Sequence, residues 1–222
     1  MIPLFRPSIG DREVAAVAEV LRSGWLGLGP KTQAFENAFA SWIGAKHAIG
    51  TNSATSALHL ALAALGIGPG DEVLVPVISF VSTSHAVEFT GARPVFVDVD
   101  PHTLCMDLDD AEAKLSPRTR AIVPVHFGGR PCDLERLGRL CAERGLFLVE
   151  DAAHACGAEY AGRRIGAGAR PAVCFSFHAV KNLTCGEGGM ITTDDAEYAK
   201  KLRELRWMGI TRDTWDRTAQ AT

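Results

Sequence analysis

The stretch Leu148-Val149-Glu150-Asp151-Ala152-Ala153-His154 is an apolar run that ends on a carboxylate. A second apolar run leads into Phe175-Ser176-Phe177-His178-Ala179-Val180-Lys181-Asn182. Consecutive apolar residues of this kind are typical of strands that are covered on both faces. Ligands of such sheets gather at the carboxyl ends of the strands. The two stretches therefore predict a sheet with Asp151 and Lys181 just beyond two of its strand ends.

Further strand and helix patterns alternate along the chain. Strands are predicted at His47–Gly50, Glu72–Val77, Pro94–Val97, Ala121–Val125, Leu146–Glu150, Ala172–Phe177 and Met190–Thr193, and helices at Ala54–Leu65, Leu108–Leu115 and Asp133–Arg144. Asp107 and Asp133 are residues of the type that caps a helix N-terminus, and Gly66 and Gly145 follow as stops. This alternation indicates an α/β fold with a mostly parallel sheet and helices on both faces.

A lysine and an aspartate at the ends of apolar strands suit one cofactor, pyridoxal 5'-phosphate (PLP). The lysine forms a Schiff base with the cofactor aldehyde, and the aspartate pairs with the pyridinium nitrogen. Without that pair the ring is a poor electron sink. We therefore predict that Lys181 is the catalytic, cofactor-bound lysine and that Asp151 is the pyridinium partner.

Three other positions fit the same cofactor. The segment 51–58 follows a strand and opens a helix, where hydroxyls and free N–H groups suit a phosphate, although such residues are more often simple caps. Phe80, just past the strand Glu72–Val77, could stack on the ring, although a lone phenylalanine is more often a core residue. His154 could hydrogen-bond the phenolic oxygen, or be an ordinary loop histidine. These residues follow successive predicted strands in chain order. Together they are therefore stronger evidence for a PLP site than any one of them alone.

Asp151 could instead be the metal-binding carboxylate of a nucleotide-hydrolysing enzyme. Such an enzyme would also need a phosphate-binding loop. The closest candidate is 24–32, but Pro30 separates the required Gly-Lys pair and removes a backbone N–H. No strand precedes that segment either. The run 66–70 precedes a strand rather than a helix, so it does not match a dinucleotide fingerprint. We therefore discard both hypotheses of nucleotide binding.

Composition narrows the classes of partner. The chain has 222 residues, 47% of them hydrophobic, and a formal net charge of -3. This length can bury a substantial core, and the charge disfavours nucleic acid as a partner. No apolar run is long enough to span a membrane, and the N-terminus lacks a secretory pattern. The six cysteines show no metal-site spacing, so we predict no metal, reduced thiols and a cytoplasmic location.

Several motifs together resemble the DegT/DnrJ/EryC1/StrS family of sugar aminotransferases. They are Gly24-Trp25 through Gly29-Pro30-Lys31, Asn52-Ser53-Ala54-Thr55, Gly68-Pro69-Gly70-Asp71-Glu72-Val73, Glu150-Asp151-Ala152-Ala153-His154, Phe175-Ser176-Phe177-His178 with Lys181-Asn182, and Gly186-Glu187-Gly188-Gly189. The resemblance runs from about Pro3 to about Arg217. It implies the type I (aspartate aminotransferase-like) PLP fold, with residues 1–222 forming the large, cofactor-binding domain.

The resemblance also implies a role for each site residue. Lys181 would carry the proton between C4′ of the cofactor and Cα of the substrate, and Asp151 would hold the pyridinium. Ala54, Thr55 and Ser176 would bind the phosphate, with Ser53 also in the cofactor site, and Phe80 would stack on the ring. Many members have glutamine at the position of His154, whereas a subgroup that aminates C4 of nucleotide-linked keto-deoxy or keto-pentose sugars has histidine. Related sugar dehydratases replace the lysine, so Lys181 favours transamination.

The implied function is amination of a keto group, at C4, on a nucleotide-linked sugar for surface polysaccharide or secondary-metabolite synthesis. The implied amino donor is glutamate, and the implied assembly of a full-length protein is a homodimer with shared active sites. Family members continue into a small C-terminal domain, which the resemblance implies is absent here. The alternative is therefore a non-catalytic remnant that at most binds PLP.

Overall fold

The computed structural model describes residues 5–169 and 171–210 of the chain. The helices are α1 (Asp11–Ser23), α2 (Pro30–Ile43), α3 (Ala54–Ala64), α4 (Ser82–Glu88), α5 (Leu108–Ala113), α6 (Leu134–Arg144) and α7 (Ala196–Arg206). The strands are β1 (His47–Thr51), β2 (Glu72–Pro76), β3 (Arg93–Val97), β4 (Thr119–Ile122), β5 (Phe147–Asp151), β6 (Glu159–Tyr160), β7 (Arg163–Arg164), β8 (Ala172–Ser176) and β9 (Gly189–Thr193). In this part of the chain, no helix has both the length and the apolar character needed to cross a membrane.

Seven of these strands form one sheet in the order β1-β9-β8-β5-β4-β2-β3. The pairs β2–β3, β2–β4, β4–β5 and β5–β8 are parallel. Strand β9 runs antiparallel to both of its neighbours, β1 and β8. The prediction of a mostly parallel α/β sheet is confirmed, with β9 as the strand that runs against the others.

Helices cover both faces of the sheet, as the apolar strands predict. On one face α3, α4 and α7 pack against the sheet through a core that includes Leu62, Val75 and Leu202. On the other face α2 packs against β8, with the rings of Phe39 and Phe175 edge to face, and α5 and α6 cover a further core around Leu74. Leu74 and Val75 are chain neighbours that belong to opposite cores, because successive side chains of a strand point to opposite faces.

The predicted helix starts and stops depend on local capping. The side chains of Ser53, Asp107 and Asp133 accept hydrogen bonds from backbone N–H groups in the first turns of α3, α5 and α6. Helix α6 ends at Gly145, which has the left-handed backbone conformation (φ 63°) that glycine adopts without steric cost. The predicted ends of the other two helices are one or two residues too late.

Several details differ from the prediction: the helices α1, α2, α4 and α7 were not predicted, and β4 begins and ends earlier than the predicted strand Ala121–Val125. Asp151 is the last residue of β5 rather than the first beyond it. Lys181 lies within the loop between β8 and β9, several residues past the end of β8. The small antiparallel hairpin of β6 and β7 was not predicted, since two-residue strands are too short to show an alternating pattern.

Glu72, the first residue of β2, connects several segments at the end of the sheet opposite Asp151. Its buried carboxylate accepts hydrogen bonds from Ser116 Oγ (2.6 Å), Arg118 Nε (2.9 Å) and Arg93 Nη2 (2.6 Å). Arg93 is the first residue of β3, and Ser116 and Arg118 lie in the turn before β4. The hydrogen bond from Ser116, followed by those from the two arginines, lowers the pKa of Glu72 to about 2.

Replacing Glu72 by glutamine is expected to destabilise the fold at neutral pH. Because the folded pKa is depressed, the carboxylate contributes stability above the unfolded value near 4.5 and loses it as the pH falls toward 2. The arginine side chains are largely exposed, which reduces the effect to about 1–2 kcal/mol. Urea unfolding of wild type and Glu72→Gln between pH 7 and pH 2 checks this, with the exposed Glu143→Gln as control. A constant difference at all pH values would contradict the assignment.

Candidate functional site

The eight predicted site residues surround one cavity of about 300 Å³ at the carboxyl ends of the parallel strands. They are Ser53, Ala54, Thr55, Phe80, Asp151, His154, Ser176 and Lys181. The same cavity is lined by residues that sequence reasoning did not single out, among them Phe127, His178 and Glu187. Its size is at the lower end of the range for small-molecule and cofactor sites.

Asp151 is placed by strand β5 and fixed by two hydrogen bonds. Only 4% of the residue is exposed. Its Oδ2 accepts a hydrogen bond from Thr83 Oγ1 at 2.7 Å, and its Oδ1 accepts one from the backbone N–H of Ala153 at 3.1 Å. A buried carboxylate with both oxygens held in this way has a defined orientation and is suited to pairing with one cation.

Lys181 faces the same cavity from the loop between β8 and β9. Its backbone N–H donates to the carbonyl of His178 at 2.9 Å, which forms a turn in this loop. Partial burial lowers the pKa of the ammonium from its usual 10.5, and the negative charge of Asp151 opposes that shift. Within residues 5–169 and 171–210 the ammonium forms no hydrogen bond or ion pair. A desolvated lysine of lowered pKa is an amine poised for nucleophilic attack.

The start of α3 provides an anion-binding end to the cavity. The Ser53 hydroxyl caps the helix by accepting from the N–H of Ser56 at 3.1 Å, so the capping interpretation of this serine is correct. The first N–H groups of a helix, here those of Ala54 and Thr55, have no partner inside the helix. Together with the Ser176 hydroxyl at the end of β8, they form a cradle of donors of the kind that binds phosphate.

Glycine is required where β9 passes this cradle. A Cβ on Gly189 would lie 2.4 Å from the carbonyl carbon and oxygen of Ser53, a distance that side chains do not tolerate. Any other residue would displace either β9 or the segment that caps α3. Gly189 of the Gly-rich motif is therefore explained by close backbone approach, whereas Gly186 has a left-handed backbone conformation (φ 88°) that glycine adopts without steric cost.

Phe80 and His154 flank the cavity from two loops. Phe80 is 72% exposed, so the interpretation of this residue as a core phenylalanine is wrong. The Nδ1 atom of His154 accepts a hydrogen bond from the backbone N–H of Gly128 at 3.3 Å, which leaves Nε2 as the protonated nitrogen of the neutral ring. Burial, followed by the nearby charge of Lys181, lowers the pKa of His154 below 6.5. The ring is therefore an uncharged N–H donor at neutral pH.

Sequence reasoning missed the side-chain partners of the last two residues of β5, Glu150 and Asp151. Thr83 lies in α4, 68 residues away along the chain, and looks like any helical threonine in the sequence. The fully buried His126 accepts at Nδ1 from the N–H of Cys132 (3.1 Å), which directs Nε2–H toward the Glu150 carboxylate at 2.9 Å. A histidine at a strand end was visible in the sequence, but nothing local identified its partner.

The arrangement of cavity, lysine, aspartate and anion cradle can be compared with known proteins. The sequence profile of the DegT/DnrJ/EryC1/StrS aminotransferase family matches residues 7–222. This chain belongs to that family. Aminotransferases of the family use PLP, and the geometry fits such a cofactor: a carboxylate for the ring nitrogen, a lysine for the aldehyde and free N–H groups for the phosphate.

Individual relatives support the same placement. The spore coat polysaccharide biosynthesis protein SpsC of Bacillus subtilis is 50% identical over 216 residues, which are 97% of this chain and 55% of that protein. A Streptococcus pneumoniae protein solved in its PLP form is 36% identical (TM-score 0.88, 92% of this chain, 57% of that one). DesI, solved in the presence of its TDP-sugar product, is 41% identical (TM-score 0.85, 92% and 52%). The chain thus spans about half the length of the relatives it matches.

Proposed function

We propose that this chain carries the cofactor site of a PLP-dependent aminotransferase that adds an amino group to a keto sugar linked to a nucleotide. The observation that carries the proposal is the convergence of Lys181, Asp151 and the start of α3 on one cavity. When bound there, PLP supplies the electron sink on which transamination depends. Family membership alone does not assign transamination to this chain. That chemistry also needs a lysine and a pyridinium partner at one cavity.

Each residue has a distinct part in the proposed reaction. The Lys181 amine, which has no hydrogen bond or ion pair within the described residues, would accept and return the proton that moves between cofactor and substrate carbon. The Asp151 carboxylate stabilises a positive charge on the ring nitrogen, since an opposite charge close by favours the charged form. The N–H groups of Ala54 and Thr55 and the Ser176 hydroxyl would hold the phosphate, and the His154 Nε2–H would donate to the phenolic oxygen.

The finer assignments of substrate rest on the relatives and on His154. DesI was solved with a TDP-sugar product, and SpsC is named for polysaccharide biosynthesis. We therefore propose a nucleotide-linked deoxy or pentose sugar as acceptor, C4 as the aminated carbon and glutamate as donor. His154 supports the choice of C4, since the subgroup with that regiochemistry has histidine at this position.

The same proposal extends to assembly and location. Phe80 lines the cavity, and Val77 and Val81, close to it in the chain, are exposed apolar residues as well, which supports a homodimer in which the partner covers this edge. All six cysteines are free and five are buried, which supports the reducing conditions of the cytoplasm.

Covalent labelling tests the cofactor assignment. PLP followed by borohydride should place a pyridoxyl group on Lys181, identified by peptide mapping. Because the pKa of this lysine is lowered, its neutral fraction is larger than that of an ordinary lysine, and labelling should reach half of its maximum below pH 10.5. The surface residue Lys200 serves as the internal control. Equal labelling of both lysines at every pH would refute the assignment.

A further inference from the structure

A chain of two hydroxyl groups ends on the Asp151 carboxylate. Thr83 Oγ1 lies 2.7 Å from Asp151 Oδ2, and Ser79 Oγ lies 2.5 Å from Thr83 Oγ1. Thr83 is 1% exposed, so water does not compete for its hydroxyl. Ser79 is half-buried and belongs to the loop that carries Phe80.

The direction of the hydrogen bonds follows from the charge of the carboxylate. An ionised carboxylate only accepts hydrogen bonds, so the single proton of the Thr83 hydroxyl points to Asp151. The Thr83 oxygen is then free to accept the proton of Ser79. The Ser79 hydroxyl also lies 2.9 Å from the carbonyl of Phe80, but its one proton cannot serve both acceptors. Because the Thr83 proton points to Asp151, only the Ser79 proton can join the two hydroxyl oxygens at 2.5 Å, so it points to Thr83. The chain therefore links Ser79, in the loop that carries Phe80, to the Asp151 carboxylate.

We propose that Thr83 is a positioning residue that acts through Asp151, and that Ser79 couples this carboxylate to the loop carrying Phe80. The inference rests on the proposed function, since it matters only if Asp151 faces a bound PLP ring. Thr83 fixes one carboxylate oxygen while the N–H of Ala153 fixes the other at 3.1 Å. The carboxylate then cannot rotate away from the ring nitrogen, and no reorganisation is needed when the cofactor arrives.

A threonine suits this position better than most residues. Its hydroxyl donates to the carboxylate while its methyl group packs in a buried site, and valine has nearly the same shape without the donor. Hydrogen bonds to charged groups are worth more than those between neutral groups, and loss of one corresponds to about a tenfold change in an equilibrium constant.

The test measures PLP affinity by absorbance titration for wild type, Thr83→Val, Thr83→Ser and Ser79→Ala. Thr83→Val should weaken binding about tenfold, Thr83→Ser should restore it to within about twofold, and Ser79→Ala should weaken it about two- to threefold. Thr90→Val is the matched control, because this threonine lies two residues past α4 and, in the part of the chain that the structure describes, its hydroxyl bonds only the local backbone. It should leave the affinity unchanged.

A double-mutant cycle separates an effect through Asp151 from a general structural effect. In an Asp151→Asn background, Thr83→Val should change PLP affinity by less than about twofold. A tenfold loss that persists in that background would overturn the proposal, as would wild-type affinity in Thr83→Val. If Thr83→Val does not fold, PLP affinity is compared for the half-buried Ser79→Ala with and without Asp151→Asn. The loss of affinity in Ser79→Ala should likewise disappear in the Asp151→Asn background. A wild-type protein that neither binds PLP nor is labelled at Lys181 would instead refute the proposed function.

Discussion

In the proposed aminotransferase, replacing Lys181 by alanine is expected to remove transamination almost completely. The variant loses both the amine that joins the cofactor and the group that moves the proton, and general acid–base catalysis alone contributes about 10²–10⁴-fold in rate. PLP should still bind, more weakly, because the start of α3 and Asp151 remain in place. The rate to measure is single-turnover transfer from glutamate to a keto sugar nucleotide, with pyridoxyl labelling after borohydride measured in parallel.

The design needs a lysine that lies outside the cavity as control. Lys200, exposed on α7, is replaced by alanine in the matched variant, and its rate should equal that of wild type. Both substitutions remove one positive charge, so a non-specific effect of charge would appear in both. A Lys181→Ala variant that retains more than a tenth of the wild-type rate would show that another group transfers the proton.

Much of this site could be predicted because its chemistry depends on local patterns. Asp151 ends an apolar run, Lys181 stands before a glycine-rich motif, and Ser53 has the capping chemistry of a helix start. Each of these signals lies within a few residues of the group that it identifies. The structure places all of them around one cavity, as the topology of parallel strands requires.

What the sequence did not show are contacts between distant segments. The hydrogen bond of Thr83 to Asp151 joins α4 to β5 across 68 residues, and no local pattern distinguishes Thr83 from a helical threonine without a partner. The close approach of Gly189 to Ser53 is similar, since it depends on the pairing of β9 beside β1. The antiparallel direction of β9 could have been predicted from the sequence, because the loop before β9 contains no helix for a parallel crossover.

Asp151→Asn is the second substitution with a large expected effect. Asparagine has nearly the same shape, and its one amide oxygen can accept from either Thr83 or the Ala153 N–H, so the fold and the cavity should be preserved. A neutral amide does not stabilise a positive charge on the ring nitrogen, and the electron sink is lost. Removing one electrostatic stabiliser of this kind lowers rates by about 10²–10³-fold. The half-reaction with glutamate, followed by cofactor absorbance in a single turnover, measures this directly.

Asp109→Asn is the matched control for that variant, since Asp109 is an exposed aspartate on α5 that forms a surface ion pair with Arg136. Its half-reaction rate should equal that of wild type, because a surface pair contributes little. PLP binding should survive in Asp151→Asn through Lys181 and the phosphate cradle, so the fall in rate is measured on loaded protein. A loaded Asp151→Asn variant that reacts as fast as wild type would mean that the ring nitrogen needs no charged partner. The role of Asp151, and with it the role of Thr83 behind it, would then be wrong.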